Sequence, residues 1–379
     1  MTIKVMSIFG TRPEAIKMAP VVFELQNDPM FESVVCVTAQ HREMLDQVLD
    51  VFEITPDYDL DLMKSGQDLA SLTSSVLSAV TKVLRENRPD LVLVHGDTTT
   101  CLASGLAAFY EKIPFGHVEA GLRTGDLYAP FPEEANRSLI GNLAHFHFSP
   151  TEIAKKNLLN ENIANEKIII TGNTVIDALL IAKDKISLFP KEYWEDIFGE
   201  SLIQKVTDAS RKTILITGHR RENFGQGFID LCNTIKKLAV KHPDWNFIYP
   251  VHLNPNVQAP VNNILGNCEN IDLIDPVSYL PFVWLMNESD IILTDSGGIQ
   301  EEGPSLGKPV FVTREVTERP EALDAGTVKL VGTNPDKIFN NIESILLDEK
   351  LYNNMAHSIN PYGDGQASSR IIEFIKKNI

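Results

Sequence analysis

Cysteine is scarce in this sequence. Its 379 residues contain only Cys36, Cys101, Cys232 and Cys268, which are widely scattered and lack the paired spacing of metal ligands. A small secreted scaffold held by disulfides would need a denser pattern, and so would a cysteine-based zinc site. We therefore interpret the four cysteines as reduced structural thiols.

Long apolar runs are also missing. No segment reaches the length of a membrane-spanning helix, and the first ten residues run into a predicted strand without the pattern of a cleaved leader. We expect a cytoplasmic protein with no membrane partner.

Positive charge is in the minority. Lys and Arg number 34 against 51 Asp and Glu, which gives a formal net charge of -17. Such a chain is repelled by nucleic acid and by anionic membrane surfaces, so neither is expected as a partner. A small anionic ligand remains compatible, because a local cluster of Arg, Lys and helix N-termini is enough to bind one.

What the sequence does contain is a regular alternation of short apolar runs and amphipathic stretches. The predicted strands of the first half are Ile3–Phe9, 34–38, 91–94, Phe115–Val118, Phe146–Ser149 and Ile168–Ile170; those of the second half are 213–217, 246–251, Ile271–Ile274, Ile291–Thr294 and 310–313. Helical patterns such as 68–86 and 99–111 lie between them. This order predicts parallel sheets covered by helices on both faces.

The length and the restart of the alternation predict two domains. We place an N-terminal Rossmann-like domain at residues 1–172 and a C-terminal Rossmann-like domain at 173–364. A final helix within 365–379 is compatible with closing the second domain or with packing back on the first. The expected fold class is α/β, with the two domains facing a central cleft, because ligands of open parallel sheets bind beyond the carboxyl ends of the strands.

Polar residues follow the predicted strands of the first half. Gly10-Thr11-Arg12-Pro13-Glu14 places a guanidinium at a helix start with Lys17 one turn on, which suits an anion. Asp97 follows His95-Gly96 and precedes three threonines, and taken alone it is better explained as a helix N-cap than by chemistry.

Glu119 follows the next strand, and Glu133 ends a loop rich in Pro, Phe and Tyr. Neighbouring carboxylates push one another's pKa apart and so can supply both an acid and a base. The alternative is a surface ion pair with Arg123 or Arg137.

The second half offers sites for phosphate. Gly218-His219-Arg220-Arg221-Glu222-Asn223 is a cationic turn, and Asp295-Ser296-Gly297-Gly298 joins a strand to a helix that carries Glu302. Glycines allow a ligand close to the backbone, and the helix start presents N–H groups to diphosphate. A tight turn without a ligand is the alternative. The pattern is neither the dinucleotide fingerprint nor a P-loop, so it indicates neither NAD nor ATP.

Taken together, these blocks resemble the signatures of the non-hydrolysing UDP-N-acetylglucosamine 2-epimerases of bacteria. The resemblance covers essentially the whole chain and rests on seven ordered blocks: Gly10-Thr11-Arg12-Pro13-Glu14, His95-Gly96-Asp97-Thr98-Thr99, Val118-Glu119-Ala120-Gly121-Leu122-Arg123, Pro132-Glu133-Glu134-Ala135-Asn136-Arg137, Gly218-His219-Arg220-Arg221-Glu222, Asp295-Ser296-Gly297-Gly298 and Glu318-Arg319-Pro320-Glu321. It implies a glycosyltransferase-B type of fold, a homodimer and no metal or redox cofactor. The implied reaction interconverts UDP-GlcNAc and UDP-ManNAc for cell-surface polysaccharide, by eliminating UDP to a 2-acetamidoglucal and adding it back.

The resemblance also implies roles for individual residues. Asp97, Glu119 and Glu133 would share the acid and base work, and His219 would assist the departing UDP. The residues implied to hold the nucleotide are Arg12, Lys17, His219, His252, Phe282, Ser296, Gly297, Gly298, Glu302 and Arg319. Gln40 and Glu43 resemble part of a site for a second UDP-GlcNAc that activates bacterial members; some relatives have Gln where this chain has Glu43.

Three other functions use the same features. A hydrolysing relative would release free ManNAc and UDP, a glycosyltransferase of similar fold would need an acceptor alcohol, and a binding protein would keep the UDP site without turnover. The carboxylates Asp97, Glu119 and Glu133 favour proton transfer, because a site that only binds an anion gains nothing from acidic groups.

Overall fold

Two compact α/β units make up the protein. The structure is a computed structural model that describes residues 2–39, 42–62, 66–220, 224–317 and 319–379. One unit consists of Met1–Leu180 and Tyr362–Ile379, and the other of Ile181–Pro361. The first unit therefore runs past the predicted division at 172, and its second stretch begins before residue 365.

Strands and helices alternate through the first unit. Its strands are β1 (Ile3–Phe9), β2 (Phe31–Val37), β3 (Tyr58–Asp59), β4 (Leu91–His95), β5 (Phe115–Val118), β6 (Phe146–Ser149) and β7 (Ile168–Ile170). Its helices are α1 (Arg12–Asn27), α2 (Arg42–Val51), α3 (Leu69–Asn87), α4 (Thr99–Tyr110), α5 (Glu133–Leu143) and α6 (Glu152–Asn160), followed by α7 (Thr174–Ile186), which continues into the second unit.

The second unit repeats the alternation. Its strands are β8 (Lys212–Thr217), β9 (Trp245–Pro250), β10 (Ile271–Ile274), β11 (Ile291–Thr294), β12 (Val310–Val312) and β13 (Val328–Leu330). Its helices are α8 (Lys191–Phe198), α9 (Glu200–Thr207), α10 (Gln226–Lys241), α11 (Pro255–Leu265), α12 (Tyr279–Glu288), α13 (Ile299–Ser305), α14 (Pro320–Asp324), α15 (Pro335–Leu347) and α16 (Glu349–Ala356). The chain ends in α17 (Ala367–Asn378) of the first unit.

Both sheets are parallel and share a topology. The strand order is β3-β2-β1-β4-β5-β6-β7 in the first unit and β10-β9-β8-β11-β12-β13 in the second. In each, the chain builds outward on one side and then returns to the other side of its first strand. The order reverses between β1 and β4 and between β8 and β11, where ligands of such sheets bind. The prediction of two Rossmann-like α/β units is confirmed.

Each unit has its own apolar core between sheet and helices. In the first, Met6, Ile8, Val92 and Val94 of the central strands pack with buried residues of α3 and α4. In the second, β8, β9 and β11 pack with α10, α11 and α15. Because both faces of a parallel sheet are covered, its strands are continuous apolar runs, which is why the sequence marks them clearly.

The C-terminal helix α17 packs in the first unit. The Phe374 ring lies edge-on to Phe146 and Phe148, with centroids 5.2 and 5.8 Å apart. At the start of the helix the buried Asp177 carboxylate accepts the backbone N–H groups of Ala367 at 3.2 Å and Ser368 at 2.8 Å, and the Ser368 hydroxyl at 2.6 Å. These contacts answer a question that the sequence left open.

Two short edge strands, β3 and β13, were not predicted, and β2 begins at Phe31 rather than at residue 34. Strands of two and three residues carry too little periodicity to recognise. Within the part of the chain that the structure describes, no helix is long and apolar enough to cross a membrane.

Replacement of Asp177 by Ala should destabilise the first unit. The substitution removes the acceptor of three donors at the start of α17, so we expect a loss of about 2 kcal/mol in the free energy of unfolding. Urea unfolding followed by circular dichroism measures the change. Asp184→Ala, at an exposed position of α7, is the matched control and should change little. Equal stability of the two variants would contradict the assigned anchor.

Candidate functional site

The turn after β1 is fixed by the buried carboxylate of Glu14. Its Oε2 accepts the backbone N–H groups of Gly10 at 3.1 Å and Thr11 at 2.8 Å, while its Oε1 accepts the Thr98 hydroxyl at 2.6 Å. Thr11 is the N-cap of α1, and Arg12 is its first residue. Glu14 thus connects the turn that carries Arg12 to the turn after β4, across the reversal point of the sheet. Burial raises the pKa of Glu14, against these hydrogen bonds.

The interpretation of Asp97 as a helix cap is wrong. Gly96 adopts a φ of +68°, and the chain then starts α4 one residue later than that interpretation requires. The N-cap is Thr98, whose hydroxyl accepts the N–H of Cys101 at 3.0 Å. The Asp97 carboxylate is left to pair with Arg137, with Oδ2 and Nη2 2.8 Å apart.

Glu119 is a buried carboxylate held by an ion pair and a hydrogen bond. It follows β5 with a φ of +64°, a left-handed conformation that is rare for a residue other than glycine and concentrates at functional sites. Its Oε1 pairs with the Lys17 ammonium and accepts the Asn173 amide at 2.8 Å. Burial alone would raise the pKa of Glu119, but the charge of Lys17 and the hydrogen bonds from Lys17 and Asn173 act against it, and the net pKa is lowered.

His95 lies beside Glu119 as a neutral ring. Its Nε2 is 3.6 Å from Glu119 Oε2, and burial lowers the pKa of His95 to about 4. On the neighbouring strand, His117 Nε2 lies 2.6 Å from the carbonyl oxygen of Gly96 and, as the donor, fixes that ring's tautomer. These two histidines are buried next to Asp97 and Glu119, and both rings are neutral at neutral pH.

The net pKa shift of Asp97 is opposite in direction to that of Glu119. Burial raises its pKa, Arg137 opposes that shift, and the nearby charges of Glu119 and Glu133 add to it. Glu133 begins α5, and its buried Oε2 has no hydrogen-bond partner among the described residues. The structure therefore gathers Asp97, Glu119 and Glu133 near Lys17, as the sequence predicted.

The alternative of a surface ion pair does not describe this cluster. Arg123 pairs instead with Glu161, with Nε and Oε1 2.7 Å apart. Arg137, the partner of Asp97, has a side chain only 9% exposed. Neither pair is the solvated, easily screened contact that the alternative assumed.

The loop before α5 is tied down at its start. Glu134 Oε1 accepts the N–H groups of Thr124 at 3.0 Å and Gly125 at 2.9 Å. Further along, the exposed rings of Tyr128 and Phe131 stack with centroids 6.2 Å apart. The loop thus has a fixed base and an apolar outer surface beside Glu133.

In the second unit the turn after β8 is held by Asp295, which follows β11. The Asp295 carboxylate is fully buried, and its Oδ2 accepts the backbone N–H groups of His219 at 2.9 Å and Arg220 at 2.8 Å. The Tyr249 hydroxyl supports the same turn from below by donating to the Gly218 carbonyl at 3.1 Å. The arrangement repeats that of Glu14 at the equivalent point of the first sheet.

His219 and His252 stack on one another. Their ring centroids are 5.2 Å apart and the planes differ by 11°. His252 Nδ1 accepts the backbone N–H of Asn254 at 3.1 Å. Burial lowers the pKa of His219, with His252 and Arg220 acting in the same direction and Asp295 against it.

The glycine turn after β11 lies against a guanidinium. A Cβ on Gly297 would come within 2.6 Å of Arg319 Nη1, so a side chain at this position would have to displace the guanidinium. Arg319 is held by the buried Glu301, with Nε and Oε1 2.5 Å apart. Ser296 donates its N–H to Thr294 Oγ1 at 2.9 Å, which shapes the start of the turn.

The remaining predicted residues lie on α12 and α13. Glu302 Oε1 is 3.4 Å from the Tyr279 hydroxyl, and its Oε2 lies 3.5 Å from the position of a Cβ on Gly298. Phe282 is partly buried in α12. Gln40 lies outside the described residues, and for Glu43 only the backbone within α2 is described. Among the described residues, no three His, Cys, Asp or Glu side chains are grouped to hold a metal ion.

Sequence reasoning left several contact residues without a role. His95 and Asn173 contact Glu119, Glu301 holds Arg319, and Glu14 and Asp295 hold turns. His95, Asn173 and Asp295 follow strand ends, so the criterion that selected Asp97 would have included them. Glu14 and Glu301 lie inside helices, where a carboxylate is usually a solvated side chain.

Paired Rossmann-like units with carboxylates at the strand ends of one, and a glycine turn beside imidazole and guanidinium groups in the other, are typical of enzymes that act on nucleotide-sugars. The chain belongs to the UDP-N-acetylglucosamine 2-epimerase family, whose sequence profile matches residues 23–376. This confirms the resemblance drawn from the sequence.

Individual relatives agree over the full length. The UDP-N-acetylglucosamine 2-epimerase of Escherichia coli K12 is 60% identical over 375 residues, covering 99% of each chain. The crystal structure of UDP-GlcNAc 2-epimerase from Neisseria meningitidis bound to UDP-GlcNAc is 54% identical, with a TM-score of 0.90 over 99% of this chain and 100% of that one. The Methanocaldococcus jannaschii enzyme in complex with UDP-GlcNAc and UDP is 32% identical, with a TM-score of 0.79 over 99% of this chain and 100% of that one.

Gly297→Ala should disturb the second unit more than Gly298→Ala. A methyl group at 297 must push away a guanidinium that Glu301 holds in place, whereas the nearest atom to a Cβ at 298 is at 3.5 Å and the backbone there is helical. We expect a loss of about 1–3 kcal/mol in the free energy of unfolding at 297 and a neutral or slightly stabilising change at 298. Thermal and urea unfolding of both variants provide the measurement. The reverse order would contradict the packing of Arg319 on Gly297.

Proposed function

We propose that this protein interconverts UDP-N-acetylglucosamine and UDP-N-acetylmannosamine by inverting C2 of the sugar, and supplies ManNAc units for cell-surface polysaccharide. The observation that carries the proposal is the cluster of Asp97, Glu119 and Glu133, in which the pKa of Asp97 is raised and that of Glu119 is lowered. Solved relatives bound to UDP-GlcNAc, or to UDP-GlcNAc and UDP, support the choice of substrate.

The proposed reaction proceeds by elimination and re-addition. A carboxylate removes the C2 proton, a double bond forms between C1 and C2, and the bond from C1 to the UDP oxygen breaks. UDP then adds back to C1 of the 2-acetamidoglucal while a proton is delivered to the opposite face of C2. The reaction therefore needs two proton-transfer groups and stabilisation of the departing diphosphate.

The surroundings of the carboxylates suit this division of labour. Lys17 and Asn173 keep Glu119 ionised, so Glu119 is ready to accept a proton. Burial and the acidic neighbours raise the pKa of Asp97 although Arg137 opposes them, so Asp97 holds a proton more readily than Glu119 does. Glu133, with a buried oxygen beside this pair, completes the set. Groups whose environments separate their pKa values are the usual source of an acid and a base at one pH.

The other predicted residues are proposed to bind UDP. Arg12 and Lys17 of the first unit supply positive charge, and the glycine turn with Arg319 and His219 of the second suits the diphosphate. Glu302 is proposed to accept ribose hydroxyl groups, with His252, Phe282, Ser296 and Gly298 as further contacts. No metal or redox cofactor is required by the proposed steps.

A homodimer, and activation by a second UDP-GlcNAc near Gln40 and Glu43, are further proposals, supported by the resemblance to bacterial members of the family. The acidic composition supports the expectation that neither nucleic acid nor membrane is a partner.

An NMR time course with UDP-GlcNAc alone in deuterated water tests the reaction. We expect UDP-ManNAc to appear with deuterium at C2 of both sugars, because the removed proton exchanges with solvent before it is returned. Epimerised product without deuterium at C2 would contradict the elimination mechanism. Accumulation of free ManNAc and UDP would indicate the hydrolysing reaction instead, and turnover only with an added acceptor would indicate a glycosyltransferase.

Removal of the carboxylates should abolish turnover without abolishing UDP binding. For Asp97→Asn, Glu119→Gln and Glu133→Gln we expect kcat to fall by about 10²–10⁴-fold, the range for loss of a proton-transfer group. Glu119→Gln leaves the Lys17 ammonium without its carboxylate, so UDP affinity should not decrease. Calorimetry with UDP and NMR rates measure the two quantities. Glu152→Gln, at an exposed position of α6, is the control, and unchanged kcat in all three variants would contradict the assigned roles.

A further inference from the structure

The two oxygen atoms of the buried Asp295 carboxylate have different surroundings. Its Oδ2 is saturated by the N–H groups of His219 and Arg220. Its Oδ1 is buried without a hydrogen-bond partner among the described residues, and it lies 3.5 Å from the Nδ1 atom of the His219 ring. A carboxylate oxygen without a partner is costly in a buried position, so a donor facing Oδ1 is strongly favoured.

The ring of His219 is the group that can supply this donor. An Nδ1 lone pair turned toward the carboxylate would place two acceptors against each other, whereas an Nδ1–H would donate to Oδ1. The distance between Nδ1 and Oδ1 is longer than that of an ordinary hydrogen bond. The His219 side chain is 45% exposed, so the ring is able to rotate toward Oδ1. The backbone of His219 is meanwhile fixed by Oδ2 of the same carboxylate.

We propose that Asp295 is the positioning residue of His219: its Oδ2 holds the turn, its Oδ1 accepts a hydrogen bond from Nδ1–H, and Nε2 is left for the diphosphate of the ligand. The part that concerns diphosphate rests on the proposed function. The neutral ring then carries its lone pair on Nε2, which takes up a proton from solvent before the sugar reacts. During elimination the protonated Nε2 donates to the departing UDP, and it recovers the proton when UDP adds back.

The groups around His219 fit this role. Burial lowers the pKa of His219; His252, stacked on the ring, and Arg220 lower it further, and Asp295 opposes them. His252 Nδ1 is occupied by the N–H of Asn254, so a neutral His252 carries its proton on Nε2. In both stacked rings the protein therefore engages Nδ1. The neutral rings differ at Nε2, which carries the proton in His252 and the lone pair in His219. Asp295 is the one described anionic group among these neighbours, and it is the neighbour that favours protonation of His219.

Asp295→Asn tests the pair with little change of shape. The amide oxygen of Asn can still accept the two backbone N–H groups, which places the amide NH₂ against His219 Nδ1 and requires Nδ1 to be the acceptor. We expect ¹⁵N NMR of the ligand-free protein to show a protonated Nδ1 in the original chain and an unprotonated Nδ1 in the variant. The pKa of His219 should also fall in the variant.

The matched control is Asp290→Asn. Asp290 precedes β11 as Asp295 follows it, and its Oδ2 accepts the N–H of Thr213 at 2.7 Å. The two variants lose the same charge and keep a similar backbone hydrogen bond at opposite ends of one strand. Asp290→Asn should leave the tautomer and the pKa of His219 unchanged. His252→Asn should raise the pKa of His219, because a neighbour that lowers it is removed.

An unprotonated Nδ1 in the original chain would overturn the proposal, and so would a tautomer that Asp295→Asn does not alter. These NMR results do not depend on activity or on UDP. In a second measurement, UDP affinity and kcat are compared over pH, and we expect kcat to fall about tenfold or more in Asp295→Asn, the effect of losing a charge-assisted hydrogen bond. A changed tautomer with unchanged UDP affinity and kcat at every pH would support the Asp295–His219 pair and contradict the place of His219 in the proposed function.

Discussion

Turns at the ends of parallel strands leave backbone N–H groups without partners, and here buried carboxylates satisfy them in pairs. Glu14 accepts two consecutive amides after β1, Asp295 accepts two after β8, and Glu134 accepts two at the base of the loop before α5. A carboxyl oxygen can accept more than one such bond, and burial protects these bonds from competition by water. The positions of Arg12, Asp97 and His219 all depend on these bonds, because each lies on or beside a turn that a carboxylate holds.

Carboxylates also pair with the cationic side chains of the candidate site, so this acidic chain keeps positive charge where an anionic ligand is proposed to bind. Three cationic side chains of the candidate site are each matched with an acid: Lys17 with Glu119, Arg137 with Asp97, and Arg319 with Glu301. A buried cation needs such a partner, since an unpaired charge in a protein interior is expensive. In the first unit the partners are also the groups proposed to move protons. In the proposed function, the Lys17 ammonium therefore lowers the pKa of Glu119 and also attracts phosphate.

Most of the fold could be predicted because its central strands are buried on both faces. The bounds predicted for Ile3–Phe9, Phe115–Val118 and Ile291–Thr294 agree with the structure, and the rule that ligand groups follow such strands selected the residues that cluster near Glu119. The edge strands β3 and β13 were missed because two or three residues show no period. Asp97 was open to misinterpretation because Asp and Thr are both good N-caps, and only the turn at Gly96 decides which residue occupies that position.

The contacts that tune the site were beyond prediction for a different reason. Asn173 reaches Glu119 from the end of β7, which lies two strands away in the sheet, and Glu301 reaches Arg319 from a neighbouring helix. Such pairs depend on strand order and helix placement, which local patterns do not contain. Yet the two sheets have equivalent orders around their first strands, and in both a carboxylate bridges the reversal point, Glu14 between β1 and β4 and Asp295 between β8 and β11. The topology therefore determines where a carboxylate must connect two turns. The sequence decides what the second oxygen of that carboxylate contacts, which is a threonine hydroxyl in the first unit and a titratable imidazole in the second.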